Sequence, residues 1–247
     1  MILREARTRY GHQAIGYLWA LLDPLIQLAI LATIFTLLDR HTPIEVSLPV
    51  FLLTGIFPFW AWRGSAVRGA TAIESNGPLL TYPQVRPFDL VTARVVLELA
   101  TMIVVAIVFV VALRLAGEPF GSWIDAPLNL LGALGALALL AFGVATMNAH
   151  LSRIVASWSE VMRFLARFLW FTSGVWFTPE SLPPALRDAV LYNPLAHLID
   201  WVRDAALTTY ASDHYSPTYV VFWGIGCLFV GLFIDWLLRI SGYSEAH

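Results

Sequence analysis

The sequence predicts an all-α integral membrane protein with six transmembrane helices, and three observations predict it. Hydrophobic residues make up 58% of the 247-residue chain and charged residues only 13%, with a mean hydropathy of +0.71; ordinary soluble domains carry about 25% charged residues. The apolar residues gather in runs of roughly 20, the length at which a helix crosses a bilayer. These runs lack the period-two alternation of barrel strands, and a lipid-exposed strand edge would leave backbone groups unpaired.

The elements follow in chain order. Residues 1–16 mix Ile2, Leu3, Ala6, Tyr10 and Ile15 with Arg4, Arg7, Arg9 and His12, the composition of a helix lying in the membrane interface with its arginines toward headgroups. Six apolar spans then run over 18–38, 48–65, 90–113, 128–149, 161–177 and 219–238. The first is too long for a signal-peptide core and lacks a small-x-small cleavage site, so it is expected to be retained. Neither a repeat nor a low-complexity tract divides the chain, which reads as one domain over 1–247.

All fifteen basic residues are arginine. With the N-terminus placed in the cytoplasm, eleven of them fall on the inner side: Arg4, Arg7, Arg9, Arg63, Arg68, Arg86, Arg94, Arg153, Arg163, Arg167 and Arg239. Four remain outside, Arg40, Arg114, Arg187 and Arg203. That asymmetry satisfies the positive-inside tendency and puts both termini in the cytoplasm.

Two connections are more than linkers. The inner loop 68–89 combines the turn formers Asn76, Gly77, Pro78, Pro83 and Pro87 with Leu79, Leu80 and Tyr82, apolar side chains for which a solvated loop has no use. It is expected to dock against a cytoplasmic partner or the membrane face. The outer segment 178–217 carries two short apolar faces, Leu182, Leu186, Ala189 and Val190, then Leu195, Leu198, Ile199, Val202 and Ala206, separated by the helix-breaking Asn193-Pro194. This hairpin could lie on the outer surface, or dip halfway into the membrane if protein shields its turn.

Composition also removes functions. Without lysine there is no Walker A loop, no Schiff-base lysine and no S-x-x-K nucleophile. The single Cys227 excludes a disulfide framework and reads as a small core hydrophobe. The histidines are scattered, without H-E-x-x-H spacing, and no basic, aromatic-interleaved segment suits nucleic acid. No catalytic residue, metal ligand or bound cofactor is therefore expected on this chain. Asp200 and Asp204, alternating with Arg203, read as a solvated helical face with local ion pairing.

Ionisable residues within spans are costly unless paired. Glu98 is expected to pair with Arg94 one turn earlier, and Asp235 to reach the inner interface. Arg163 and Arg167 stack on one helical face that Phe171 and Gly174 continue outward, with Trp170 beside it. Such a stripe suits an anionic, sugar-containing chain, because guanidinium pairs with carboxylate or phosphate and sugar C–H faces stack on rings. Inner-leaflet anchoring is the plainer alternative.

Arg9-Tyr10-Gly11, followed by Gly16-Tyr17-Leu18-Trp19-Ala20-Leu21-Leu22-Asp23-Pro24, resembles the R-Y-x(n)-G-x-L-W-x-x-x-x-P opening of the polysaccharide-export branch of ABC-2 type exporter permeases. Asp23 before the proline is similar to the capsular polysaccharide permeases. Tyr82-Pro83-Gln84-Val85-Arg86-Pro87 sits where that family has its coupling loop, and Tyr192-Asn193-Pro194-Leu195 resembles its N-P-L segment before the last span.

The resemblance implies a homodimer in the bacterial inner membrane, docked on two copies of a separate ABC ATPase that holds ATP and Mg. Arg4, Arg7, Glu74, Asn76, Leu79, Leu80, Tyr82, Pro83 and Arg86 would contact that ATPase. Trp19, Asp23, Arg163, Arg167, Trp170, Phe171 and Trp176 would line the path of a lipid-linked capsular polysaccharide. The hairpin, through Tyr192, Asn193 and Pro194, would re-enter the membrane from the periplasm as an outer gate. A periplasmic polysaccharide co-polymerase and an outer-membrane channel are further implied partners, besides membrane lipid. O-antigen, teichoic acid or another amphiphile is the alternative cargo, and a membrane-bound glycan- or lipid-modifying enzyme the reading from another class.

Overall fold

The structure is a computed structural model that describes residues 22, 25–27, 29–31, 33–35, 37, 42–117 and 126–241. The expected interfacial helix with Arg4 and Arg7, and also Trp19 and Asp23, lie outside the described residues. Among those described, the chain is all-helical and has no strand. The helices are α1 (Leu48–Ala70), a 3-10 helix (Glu74–Thr81), α2 (Pro87–Leu115), α3 (Pro127–Ile154), α4 (Trp158–Thr172), a 3-10 turn (Pro179–Ser181), α5 (Pro184–Val190), α6 (Pro194–Ala206) and α7 (Pro217–Ile240). All but α4 begin with proline in the first two positions, where its missing N–H costs nothing and its fixed φ suits the first turn.

Four helices are long and apolar enough to cross a membrane: α1, α2, α3 and α7, with 23, 29, 28 and 24 residues. The described residues between Leu25 and Phe35 are helical too, and Leu25 and Leu31 pack against the core. The apolar run 161–177 behaves differently. Its helix, α4, has 15 residues and stops at Thr172, spanning about 22 Å. Gly174, at φ +75°, turns the chain out of the helix, a conformation that glycine adopts without penalty.

The core is centred on α1 and α3. Phe51, Leu52, Ile56 and Phe59 of α1 meet Leu137, Leu140 and Ala141 of α3, with Leu195, Leu198 and Ile199 of α6 closing one end. Helix α3 also carries α7, and here the backbones touch. A Cβ on Gly143 would collide with the Gly224 carbonyl, and one on Gly231 would lie 2.7 Å from the Met147 nitrogen. Small residues that admit such close approach are how helices pack where lipid removes the hydrophobic drive between them. At the far end of this pair, buried Asp235 lies 2.6 Å from Arg239, 3.8 Å from Arg153 and 3.6 Å from His150. Asp235 is thus held inside a cluster of charged side chains.

Candidate functional site

The loop between α1 and α2 is a built segment. Its 3-10 helix has no buried residue, but Leu80 packs on a small cluster of Ala72, Ile73, Val91, Val95, Ala145 and Ala149. Asn76 Nδ2 donates to the Ala72 carbonyl at 3.0 Å. The Arg86 backbone N–H donates to Asp89 at 2.9 Å, fixing the start of α2. Beneath the segment, Arg94 Nη1 donates to the Arg68 carbonyl and to Thr71 Oγ1 at 3.1 and 3.3 Å. Arg68 in turn donates to Glu98 at 2.7 Å, so Glu98 finds a partner from the neighbouring helix that spacing along α2 did not suggest. Glu74, Tyr82, Pro83 and Arg86 face outward, while Asn76, Leu79 and Leu80 are half-buried.

Along helix α4 the stripe residues differ in exposure. Arg163, Arg167 and Phe171 are exposed, together with Phe164 and Phe168. Arg163 is ion-paired with Glu160 on its own helix, whereas Arg167 has no ion-pair partner among the described residues. Trp170 and Trp176, the latter beyond the end of the helix, are half-buried and meet at 5.0 Å between ring centroids. Trp170 packs edge-on to Phe59 at 4.9 Å and parallel to Trp60 at 6.3 Å, and Trp176 stacks on Phe35 at 5.3 Å. The structure therefore brings the aromatic residues together in a column and leaves the two arginines exposed on the same helix, outside it.

The segment after α4 is fastened by polar side chains. Asn193 caps α6 by accepting from the Leu195 N–H at 3.0 Å. Its amide nitrogen donates to Ser173 Oγ at 2.9 Å and the Thr172 carbonyl at 3.3 Å. Tyr192 is exposed, and its carbonyl accepts from the Tyr219 hydroxyl at 2.8 Å. His197 Nε2 meets the Leu191 carbonyl at 2.8 Å, while Nδ1 accepts from the Ser216 N–H at 3.0 Å. That pair of partners selects the neutral Nε2–H tautomer, and burial lowers the imidazole pKa.

The expected solvated face of α6 is instead interior. Arg203 is fully buried and Asp200 nearly so. Arg203 Nη1 donates to the Gly174 and Phe177 carbonyls at 2.5 and 2.9 Å, and Nη2 to the Val175 carbonyl at 2.9 Å. Its guanidinium also lies over the Phe51 ring at 4.2 Å. Asp200 accepts from Tyr210 at 2.6 Å and Ser212 at 2.5 Å; burial raises its pKa, and these hydroxyls oppose the rise. Burial lowers Arg203 to about 10, which leaves it cationic at neutral pH. The partners are main-chain carbonyls that accept from Arg203 and hydroxyls that donate to Asp200 from ten and twelve residues away, so residue spacing carried no sign of them.

Helix α5 has no buried residue, and with α4, α3 and α7 it borders an apolar cavity of about 690 Å³. Its lining includes Leu186, Val190, Phe168, Leu169, Val144 and Trp223. Among the described residues no group of three His, Cys, Asp or Glu is placed to hold a metal ion. The described residues offer an exposed 3-10 segment, a helix with exposed arginine and phenylalanine side chains, and a polar fastening between the end of α4 and the start of α6.

The ABC-2 type transporter family model matches residues 1–207. The chain belongs to the ABC-2 type transporter family. The polysialic acid transport protein KpsM of Escherichia coli is 34% identical to it, over 94% of this chain and 89% of that protein. The capsule polysaccharide export inner-membrane protein CtrC of Neisseria meningitidis serogroup A is 26% identical, over 94% and 87%. The O-antigen export system permease protein RfbA of Klebsiella pneumoniae is likewise 26% identical, over 94% and 87%. The relatives of this ABC-2 type transporter chain thus include a polysialic acid transport protein, capsule polysaccharide export inner-membrane proteins and an O-antigen export permease.

Proposed function

We propose that this chain is the membrane permease subunit of an ATP-driven exporter that carries lipid-linked capsular polysaccharide across the bacterial inner membrane. The observation that carries this reading is the 34% identity to a polysialic acid transport protein over nearly the whole of both chains. ATP and Mg bind on two copies of a separate ATPase, in keeping with a sequence that has no lysine for a Walker A loop. The chain is one transmembrane domain that pairs with a second copy. It crosses six times with both termini inside: the four long helices, the apolar stretch 18–38, and α4.

In this arrangement the 3-10 helix and Tyr82 rest on the ATPase with Arg4 and Arg7. The exposed face of α4, with Arg163, Arg167 and Phe171, lines the path together with Trp19 and Asp23. Trp170 and Trp176 stiffen it through the aromatic column. The 15-residue α4 falls short of the roughly 30 Å hydrocarbon core, and the hairpin of α5 and α6 re-enters to complete the outer half as a gate at Tyr192, Asn193 and Pro194. A periplasmic co-polymerase and an outer-membrane channel receive the polymer.

The test is gentle detergent extraction of the tagged chain, mass spectrometry of what accompanies it, and ATPase assay of the complex with defined glycolipids. A stoichiometric ATPase stimulated by an acidic lipid-linked polymer is expected. Recovery of the chain with no ATPase would overturn the reading. Stimulation by a neutral O-antigen in preference to the acidic polymer would favour the second cargo, which the similarity to an O-antigen permease supports.

A further inference from the structure

The reading of the hairpin as an outer gate leaves open what holds that gate in place, and the buried polar groups around α6 bear on it. A guanidinium taken fully out of solvent is costly unless its donors are matched. The hydrogen bonds that Arg203 makes all go to backbone, to three carbonyls of the segment that leaves α4, at Gly174, Val175 and Phe177, while its buried Nε has no hydrogen-bond partner among the described residues. These carbonyls follow the end of a helix and have no helical partner of their own. The Phe51 ring of α1 covers the cation from one side. Gly55, one turn along α1, completes the cradle, because a Cβ there would lie 2.5 Å from Arg203 Nη2 and 2.9 Å from the Val175 carbonyl. One side chain thus ties together the exit of α4, the second arm of the hairpin and the middle of α1.

The other arm is held differently. Helix α5 has no buried residue, and its Leu186 is 58% exposed above the apolar cavity. The hairpin therefore has one arm locked to the bundle and one arm resting on open apolar space.

We infer that Arg203 is the positioning residue of the outer gate: its three backbone hydrogen bonds keep the α4 exit and α6 fixed to α1, so that the outer end of the path stays sealed and movement is confined to α5. This inference rests on the exporter reading of the hairpin. Without the latch, segment 173–177 is free to lift from α1, and the outer end opens with no nucleotide required.

The test is carboxyfluorescein release from proteoliposomes containing the full chain alone, with no ATPase and no polymer. Wild type is expected to hold the dye. Arg203→Met, which keeps the length and removes all donors, is expected to raise the release rate about tenfold or more, since hydrogen bonds from a charged group are lost together. Arg203→Lys, which can satisfy only part of the carbonyl set, should fall between the two. Gly55→Ala keeps the arginine and disturbs its seat, so it tests the latch even if Arg203→Met does not fold.

Helix content by circular dichroism and a monodisperse elution profile identify folded variants. Release by folded Arg203→Met or Gly55→Ala at the wild-type rate overturns the inference. If wild type with its ATPase still exports polymer in that case, the exporter reading stands without it. Equal, fast release from wild type and variants overturns the inference and counts against ATP-driven export as well.

Discussion

Arg68 of α1 donates to the carboxylate of Glu98 in α2 at 2.7 Å, across an ion pair whose two members see different surroundings: the arginine side chain is 45% exposed and the glutamate 1%. Gly64 makes the approach possible, because a Cβ there would occupy the space of the Glu98 carboxylate. The same end of α1 is held by Arg94 through the Arg68 carbonyl and Thr71. The base of the segment between α1 and α2 is therefore a charged joint between the two helices that it connects.

This asymmetry sets the order of effects. Arg68→Met takes a 2.7 Å charged donor from a buried carboxylate and should destabilise the protein by about 2 kcal/mol. Glu98→Gln leaves an arginine with access to solvent and should cost less than about 1 kcal/mol. The double variant should recover part of the Arg68→Met loss, since the buried charge is gone. Thermal unfolding in detergent measures all three, and a double variant less stable than Arg68→Met would contradict the account.

The α3–α7 contact makes a sharper stability prediction. Gly143 has no room for a methyl group against the Gly224 backbone, whereas nothing lies within 4 Å of a Cβ on Gly226. Backbone cannot move aside as a flexible side chain would, so Gly143→Ala should cost about 1–3 kcal/mol. Gly226→Ala on the open side of α7 should be neutral or stabilise by up to about 1 kcal/mol through helix propensity and a stiffer unfolded chain. Equal melting temperatures for the two variants would show that the helices are not in backbone contact.

Much of this architecture was legible in the sequence, and the reasons for the remainder are physical. Apolar runs gave α1, α2, α3 and α7, because burial in lipid requires the same composition whichever neighbours a helix has. Asn193-Pro194 marked the break between α5 and α6, because proline cannot continue a helix and asparagine caps one. The end of α4 at Thr172 was hidden. Apolar residues continue to Phe177, but Gly174 turns the chain and Arg203 claims the carbonyls beyond it. The polar face of Asp200 and Arg203 has the periodicity of a solvated helix, since periodicity reports a side chain's direction and not what lies there. Glu98 met Arg68, thirty residues away, for the same reason: spacing finds partners on one helix and misses those on the next.

The docking segment separates two roles that its sequence merged. Leu80 faces the bundle, packed on Ile73, Val91 and Val95, while Tyr82 is 61% exposed. Leu80→Asp should therefore lower the melting temperature of the chain itself, through a carboxylate in an apolar seat. Tyr82→Asp should leave that temperature unchanged and weaken association with the ATPase. Co-purification paired with thermal unfolding distinguishes them, and intact co-purification of Tyr82→Asp would move the docking surface elsewhere.

The two arginines of α4 should not contribute equally to export. Arg163 already pairs with Glu160 one turn away, so its guanidinium donors are engaged and less available to a passing anion. Arg167 lies one turn further along the same exposed face, between Phe164, Phe168 and Phe171. With no ion-pair partner among the described residues, it is the cation best placed to meet a passing carboxylate or phosphate in surroundings of low dielectric. Arg167→Gln should lower export of an acidic polymer several-fold, about 1 kcal/mol in a charge-assisted contact, and Arg163→Gln by less than half as much on that scale. Neither change should alter assembly with the ATPase, because the contact with it is assigned to segment 74–86 and not to α4. Glu160→Gln supplies the converse: releasing Arg163 should maintain or raise export, and should make a subsequent Arg163→Gln change more costly. Export measured in membrane vesicles with a sialylated and a neutral glycolipid reads these effects as a ratio. If Arg167→Gln reduces both cargoes alike, α4 acts through its shape rather than its charge.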